Sequence, residues 1–130
     1  MEFVVGTIIF AAVMIMVTKV PLAIAMSKLD GGYDNALPRL QLTQLSGFGA
    51  RARGAHENSI EAFPLFAAGA IVALWHGGDL QAAQTLCAVF IAGRLVYFAC
   101  YLLDWDKLRS LSWMAGFVAS LGLMAQPLMQ

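Results

Sequence analysis

Four stretches of this chain are apolar for long enough to cross a bilayer, whose hydrocarbon core takes about 20 helical residues. They run from about Phe3 to Met26, Ala55 to Trp75, Leu80 to Leu103 and Lys107 to Leu128. Hydrocarbon offers no partner to a free backbone group, so all four are predicted as helices. The connections between them are unequal. His76-Gly77-Gly78-Asp79 reads as a tight turn, with glycines to end one helix and Asp79 to cap the next. Asp104-Trp105-Asp106 reads as a second tight turn with two candidate caps. The first connection, Ser27 to Gly54, is long and rich in Gly, Asp, Asn and Pro. Loops of that length are uncommon unless they serve a function.

Composition agrees with the pattern. Hydrophobic residues make up 60% of the 130 positions and charged residues only 12%, against about 25% charged in a soluble domain. The fold class is therefore all-α, an integral membrane four-helix bundle occupying residues 1–130 as a single domain. The formal net charge is zero and no basic patch occurs, so nucleic acid is not an expected partner. The first apolar run has no basic segment before it and no small-residue cleavage site after it, and reads as a retained span. Cys87 and Cys100 share one predicted helix, roughly 20 Å apart, too far for a disulfide. No metal-ligand spacing, phosphate loop or hydrolase elbow is present, and no metal is expected.

Charge asymmetry sets the expected orientation. Lys28, Arg39, Arg51, Arg53, Lys107 and Arg109 belong to the first and third connections or the helix ends beside them. The positive-inside rule places those connections in the cytoplasm and both termini outside it. Small residues at helical spacing, Gly69 with Ala73 and Gly116 with Ser120, permit close helix approach, and an oligomer is expected because four helices alone enclose little space.

Three charges fall inside the spans: Lys19, Glu61 and Arg94. Counted from the helix ends on the basic side, each lies about 9–14 Å deep. An ionisable residue at such depth is costly, and by default it faces a protein interior or a wet pocket. Asn58 and Glu61 share a helix face at i, i+3, with Arg51 a further two turns back. Arg94, Tyr97 and Tyr101 share another face. Glu61 and Arg94, opposite in charge and similar in depth, are expected to pair across two helices. Arg53 and Glu57 have the spacing of a surface pair. The competing reading is structural: Lys and Arg snorkel to the interface, a Glu–Arg pair can simply lock a bundle, and the tyrosines suit an interfacial belt.

The run Arg51-Ala52-x-x-Ala55-His56-x-Asn58-x-x-Glu61-x-x-Pro64 resembles the signature of the membrane-associated proteins in eicosanoid and glutathione metabolism (MAPEG). Tyr33-Asp34-Asn35 with Pro38-Arg39 resembles the preceding loop in a bacterial branch. Arg94-x-x-Tyr97-x-x-x-Tyr101 and Arg109-Ser110 match two further stretches. The resemblance implies a homotrimer in a bacterial inner membrane. It implies glutathione as co-substrate, bound between subunits, and a transferase or peroxidase acting on lipophilic electrophiles. Carried over by position, Arg51, Asn58, Glu61, Arg94 and Tyr97 would bind glutathione, and Arg109, Ser110 and Tyr101 would serve the thiolate. One position departs. Gly54 stands where glutathione-using members commonly have an arginine, four residues before the Asn. The alternative is therefore a non-catalytic protein binding a lipid or another small amphiphile in the same pocket.

Overall fold

The computed structural model describes residues 1–129. Four helices are long and apolar enough to span a membrane. They are α1 (Glu2–Ser27), α3 (Gly47–Trp75), α4 (Leu80–Leu103) and α5 (Asp106–Ala125), the last continued by a 3-10 turn to Met129. A short α2 (Pro38–Gln41) and a 3-10 turn (Leu42–Gln44) lie in the first connection. No strand occurs among the described residues. In the bundle α1 packs on α3, α3 on α5 and α5 on α4, while α4 closes the square against α1.

The apolar residues do not form one stripe per helix, because the outer faces meet lipid. On α1 the inward side is Val4, Ala11, Met14, Leu22 and Met26, while Ile9, Val13, Met16 and Val20 are exposed. Polar groups within the span turn their hydrogen bonds onto their own helix. The Thr7 hydroxyl donates to Phe3 O at 2.8 Å and that of Ser120 to Gly116 O at 2.9 Å. At the centre the Phe66 and Phe90 rings stack at 3.8 Å, joining α3 to α4.

Helix α3 starts at Gly47, not at about Ala55. Hydropathy marks the part of a helix that meets lipid, not where the helix begins. Ala50, Arg51, Ala52 and Arg53 are good helix formers, and the small residues Gly49, Ala52, Ala55 and Ser59 present one buried, closely packing face. The first connection is correspondingly shorter and well ordered. Asp34 Oδ1 accepts from Ala36 N at 2.8 Å and Leu37 N at 3.0 Å, an Asx turn that leads into Pro38. Buried Gln41 ties the loop together, donating to Gly32 O at 2.6 Å and accepting from Asp34 N at 3.1 Å.

The turn after α3 follows the sequence closely. Gly77 takes φ +65°, Gly78 N–H returns to Ala73 O at 3.2 Å, and Asp79 caps α4 through Gln81 N and Ala82 N. The turn after α4 does not. Asp104 adopts φ 64° and ends α4 instead of capping α5, while Trp105 N–H donates to Cys100 O at 2.9 Å. Asp and Asn are the non-glycine residues that tolerate this left-handed conformation best.

The small residues are spent inside the chain. A Cβ at Gly69 would stand 2.6 Å from Ser120 O, and one at Gly93 would stand 3.0 Å from Ser112 O. They let α3 and α4 approach α5, so the small-residue spacing carries no information about contacts between copies.

The charge asymmetry makes topology testable. With exposed positions replaced, His76→Cys is expected to react with a membrane-impermeant maleimide only from outside sealed cells, and Arg39→Cys only from the cytoplasmic side. The opposite labelling would invert the orientation. His76 is preferred to Gly78, where a Cβ would strike the Gln126 side chain.

Candidate functional site

Arg94 is the organising residue. It sits midway along α4, only 4% exposed, inside a helix that crosses the membrane. Its guanidinium is held by α3. One Nη donates to Asn58 Oδ1 at 2.7 Å and the other to Ser59 Oγ at 3.2 Å. Ser59 in turn donates to Ala55 O at 3.0 Å, and Asn58 Nδ2 donates to Glu61 Oε2 at 3.3 Å. The arginine therefore reaches Glu61 through an amide. The direct Glu61–Arg94 pair expected from matching depth does not form. The only two ion pairs among the described residues are Arg51–Asp104 and Arg53–Glu57. The physical reason is geometric. The hydrogen bonds hold Arg94 level with Asn58 and Ser59, while Glu61 lies almost one turn further along α3, on the exposed side of Asn58.

Beside this network a cavity of about 170 Å³ opens between α3, α4 and α5. Asn58, Glu61 and Arg94 form its polar edge, and Leu65, Phe90, Trp113 and Phe117 give it an apolar wall. Trp113 and Phe117 stack on each other at 5.1 Å. A charged edge against an apolar wall suits an amphiphile whose polar part faces the basic end.

A second chain of contacts leads from Arg94 towards that end. Arg94 lies 4.5 Å from the Tyr97 ring centre, Tyr97 meets Tyr101 edge-on at 5.4 Å, and Arg109 of α5 lies 4.5 Å from the Tyr101 ring centre. Two cations thus bracket two aromatic rings, an arrangement the ring quadrupoles favour. Tyr97 is buried and Tyr101 half-buried.

Arg51 lies apart from the cavity. Its Nη1 is 3.7 Å from Asp104 Oδ2, while its Nε is buried with no hydrogen-bond partner. Ser110 is exposed and its hydroxyl donates to Asp106 O at 3.1 Å, within its own helix. Arg53 makes the surface pair expected of it, donating to Glu57 at 2.7 Å.

Two features escaped the sequence reading. Ser59 was not singled out, although it lies next to Asn58 and holds half of the Arg94 contact. Gly54 has a packing role. A Cβ there would strike the Tyr101 hydroxyl and ring. The glycine is what allows Tyr101 to lie against the α3 backbone, and a larger side chain at this position would compete with that ring. His56 Nδ1 and the Thr18 hydroxyl are in hydrogen-bond contact at 3.2 Å, and the same hydroxyl lies 2.9 Å from Met14 O.

A four-helix membrane protein carrying an Arg–Asn–Glu relay beside an apolar cavity is the class that fold and site define. Residues 3–129, nearly the whole chain, match the MAPEG family, and the chain belongs to it. No curated protein and no solved structure matches the chain.

The Gly54 contact gives a direct expectation. Gly54→Ala should lose about 1–3 kcal/mol by overpacking, and Tyr101→Ala in the same chain should recover part of that loss. Thermal unfolding in detergent measures both. A double variant less stable than Gly54→Ala by the full Tyr101→Ala loss would show that the two positions do not press on each other.

Proposed function

We propose that this protein is a membrane-bound glutathione transferase or peroxidase acting on lipophilic electrophiles. It works as a homotrimer in a bacterial inner membrane, with both termini outside the cytoplasm. The observation that carries this reading is the polar relay Arg94–Asn58–Glu61 set against an apolar cavity within the membrane. Such a site accepts a charged thiol and a greasy partner side by side.

The donor set fits glutathione, which has two carboxylates, one ammonium and a thiol. Arg51 has a buried Nε that lacks an acceptor, and a carboxylate can take that edge of the guanidinium in bidentate fashion. Arg109, held over Tyr101, supplies a second cation at the same end. Glu61 is the only carboxylate on the cavity edge and suits the ammonium. Arg94, buried and held by Asn58 and Ser59, is assigned a positioning role. It positions Asn58 and Tyr97.

In a transferase step the thiolate sulfur bonds to the electrophilic carbon, and the leaving group departs or an epoxide opens and takes a proton. With a hydroperoxide the sulfur attacks the terminal oxygen, the O–O bond breaks, and a second glutathione completes the disulfide with release of alcohol and water. Either step gains from a cation beside sulfur, because the anion is the nucleophile. Arg109 is the residue assigned to that task, with Tyr101 behind it and Ser110 next to it in the chain.

A second reading is favoured by Gly54 and Tyr101. The tyrosine ring takes up space where glutathione-using members commonly have an arginine, and the pocket is less basic for it. On that reading the cavity holds a lipid or another small amphiphile without turnover.

Titration of glutathione into the detergent-purified protein separates the two. Saturable binding with a thiolate absorbance band supports the enzyme. A folded protein that binds no glutathione supports the amphiphile carrier. In the enzyme, Arg109→Ala is expected to lower kcat by about 10²-fold, the size of losing one preorganised charge-stabilising donor, with KM little changed. The bound thiol should then titrate at higher pH, because the nearby cation that favours the anion is gone. A raised KM with kcat intact would reduce Arg109 to a binding residue.

A further inference from the structure

The cavity beside the Arg94 relay is built from a repeated spacing. Asn58, Glu61 and Leu65 of α3 recur at i, i+3 and i+7, and Trp113, Gly116 and Ser120 of α5 do the same. Each set lies along one helix face. The two faces, with Phe90 of α4, enclose a space of about 170 Å³ within a single chain.

The two ends of that space differ. At the basic end stand Asn58, Glu61 and Arg94, linked to one another by hydrogen bonds. Further along, the walls are Leu65, Phe90 and the stacked rings of Trp113 and Phe117. Ser120 lies at this far end, but its hydroxyl donates to Gly116 O at 2.9 Å. The far end therefore presents carbon and aromatic faces, with its one hydroxyl proton already placed.

Gly116 differs from the other glycines of the bundle. At Gly69 and Gly93 a Cβ would press on the backbone of α5, so packing requires glycine there. A Cβ on Gly116 would meet nothing nearer than Arg94 Cδ and Phe90 Cδ2, both at 3.8 Å, which is ordinary contact. Both of those residues line the cavity. Glycine weakens a helix interior relative to alanine, yet it stands where alanine would fit. What the missing side chain leaves is ligand space.

We infer that this cavity selects its lipophilic ligand by size, taking a single six-membered ring with one uncharged polar group, and that Gly116 sets the limit. An apolar cavity of about 150 Å³ in another protein stays dry and binds benzene, so the volume here matches one ring. A fused second ring or a long acyl chain exceeds it, because packed walls do not stretch to order. The walls also favour a ring over a chain of equal volume. Phe90, Trp113 and Phe117 offer faces and edges for the offset and edge-on arrangements that aromatic pairs prefer. The polar group of the ligand then lies at the Asn58 end, and the ring lies against Gly116. Size selection rests on the proposed function only in that this cavity receives the lipophilic partner. Ring binding is measured without glutathione, so its failure and the failure of the glutathione titration are separate results.

Trp113 reports on the cavity. Trp75→Phe with Trp105→Phe removes the other two of the three tryptophans. The full chain with these changes, purified in detergent without glutathione, is titrated with nitrobenzene, a one-ring quencher of tryptophan fluorescence. Partition into the micelle quenches in proportion to concentration, whereas the cavity saturates. Nitrobenzene is expected to show a saturable component, and 1-nitronaphthalene and 1-nitrooctane only the proportional one. Gly116→Ala should weaken the saturable component by about tenfold, the low end of what one extra carbon does in a hydrophobic pocket. Its thermal unfolding temperature should not fall, because alanine suits the helix and meets no clash. A folded Leu65→Ala variant, with a larger cavity, should gain saturable quenching by 1-nitronaphthalene. The inference is overturned by proportional quenching alone with nitrobenzene in the folded protein. Saturable quenching by 1-nitrooctane at the same concentrations overturns it too, since the cavity would then take a bilayer chain as readily as a ring. A Gly116→Ala variant that binds nitrobenzene as tightly as its parent removes Gly116 as the determinant, and one that unfolds at lower temperature shows that the position is packed and not open.

Discussion

A guanidinium in the middle of a membrane helix constrains everything around it. Arg94 cannot be neutralised by deprotonation at any ordinary pH, so it must be hydrogen-bonded wherever the fold puts it. The chain meets this demand with uncharged acceptors, Asn58 and Ser59, on adjacent positions of α3. That choice fixes the level of α4 against α3. It brings Phe90, one turn along α4, onto Phe66, and it leaves Glu61 free at the edge of the bundle. It also places Tyr97 beside the cation and so begins the line of aromatic and basic side chains that ends at Arg109.

The same economy governs the polar groups elsewhere in the spans. Thr7, Ser59 and Ser120 return their hydroxyls to backbone carbonyls of their own helices. Thr18 does the same and also contacts His56 Nδ1. Hydrocarbon gives a stray donor nothing to bind, so each finds a partner one turn back. Against that background the exposed Glu61 and the unpaired Lys19 stand out. Neither takes part in an ion pair among the described residues.

The fold class was legible from hydropathy alone, because four apolar runs and a bilayer admit few arrangements. The candidate residues were legible too, since charges at membrane depth are rare. What periodicity could not supply was who meets whom. Depth put Glu61 opposite Arg94, yet a difference of one turn and the presence of Asn58 decide the contact. Hydropathy started α3 at the edge of the lipid, whereas the Ala- and Arg-rich segment before it is helical and carries Arg51 to Asp104. Gly54 was read as a missing cation. Its contact with Tyr101 is a matter of side-chain volume, which no spacing rule contains. The small residues, read as permitting close helix approach, do so within the chain, where they pack α3 and α4 onto α5.

The central claim is that Arg94 is held by Asn58, and that the burden lies in the buried charge itself. Thermal unfolding of Asn58→Leu, Arg94→Met and the double variant in one detergent tests it. Asn58→Leu strips the cation of its closest acceptor and should be the most damaging, by about 3–5 kcal/mol if the site behaves as a buried charge stripped of its partner does. Removing the cation as well should restore stability, leaving the double variant more stable than Asn58→Leu alone. If the two losses instead simply add, the arginine does not depend on Asn58 and the account of this bundle is wrong.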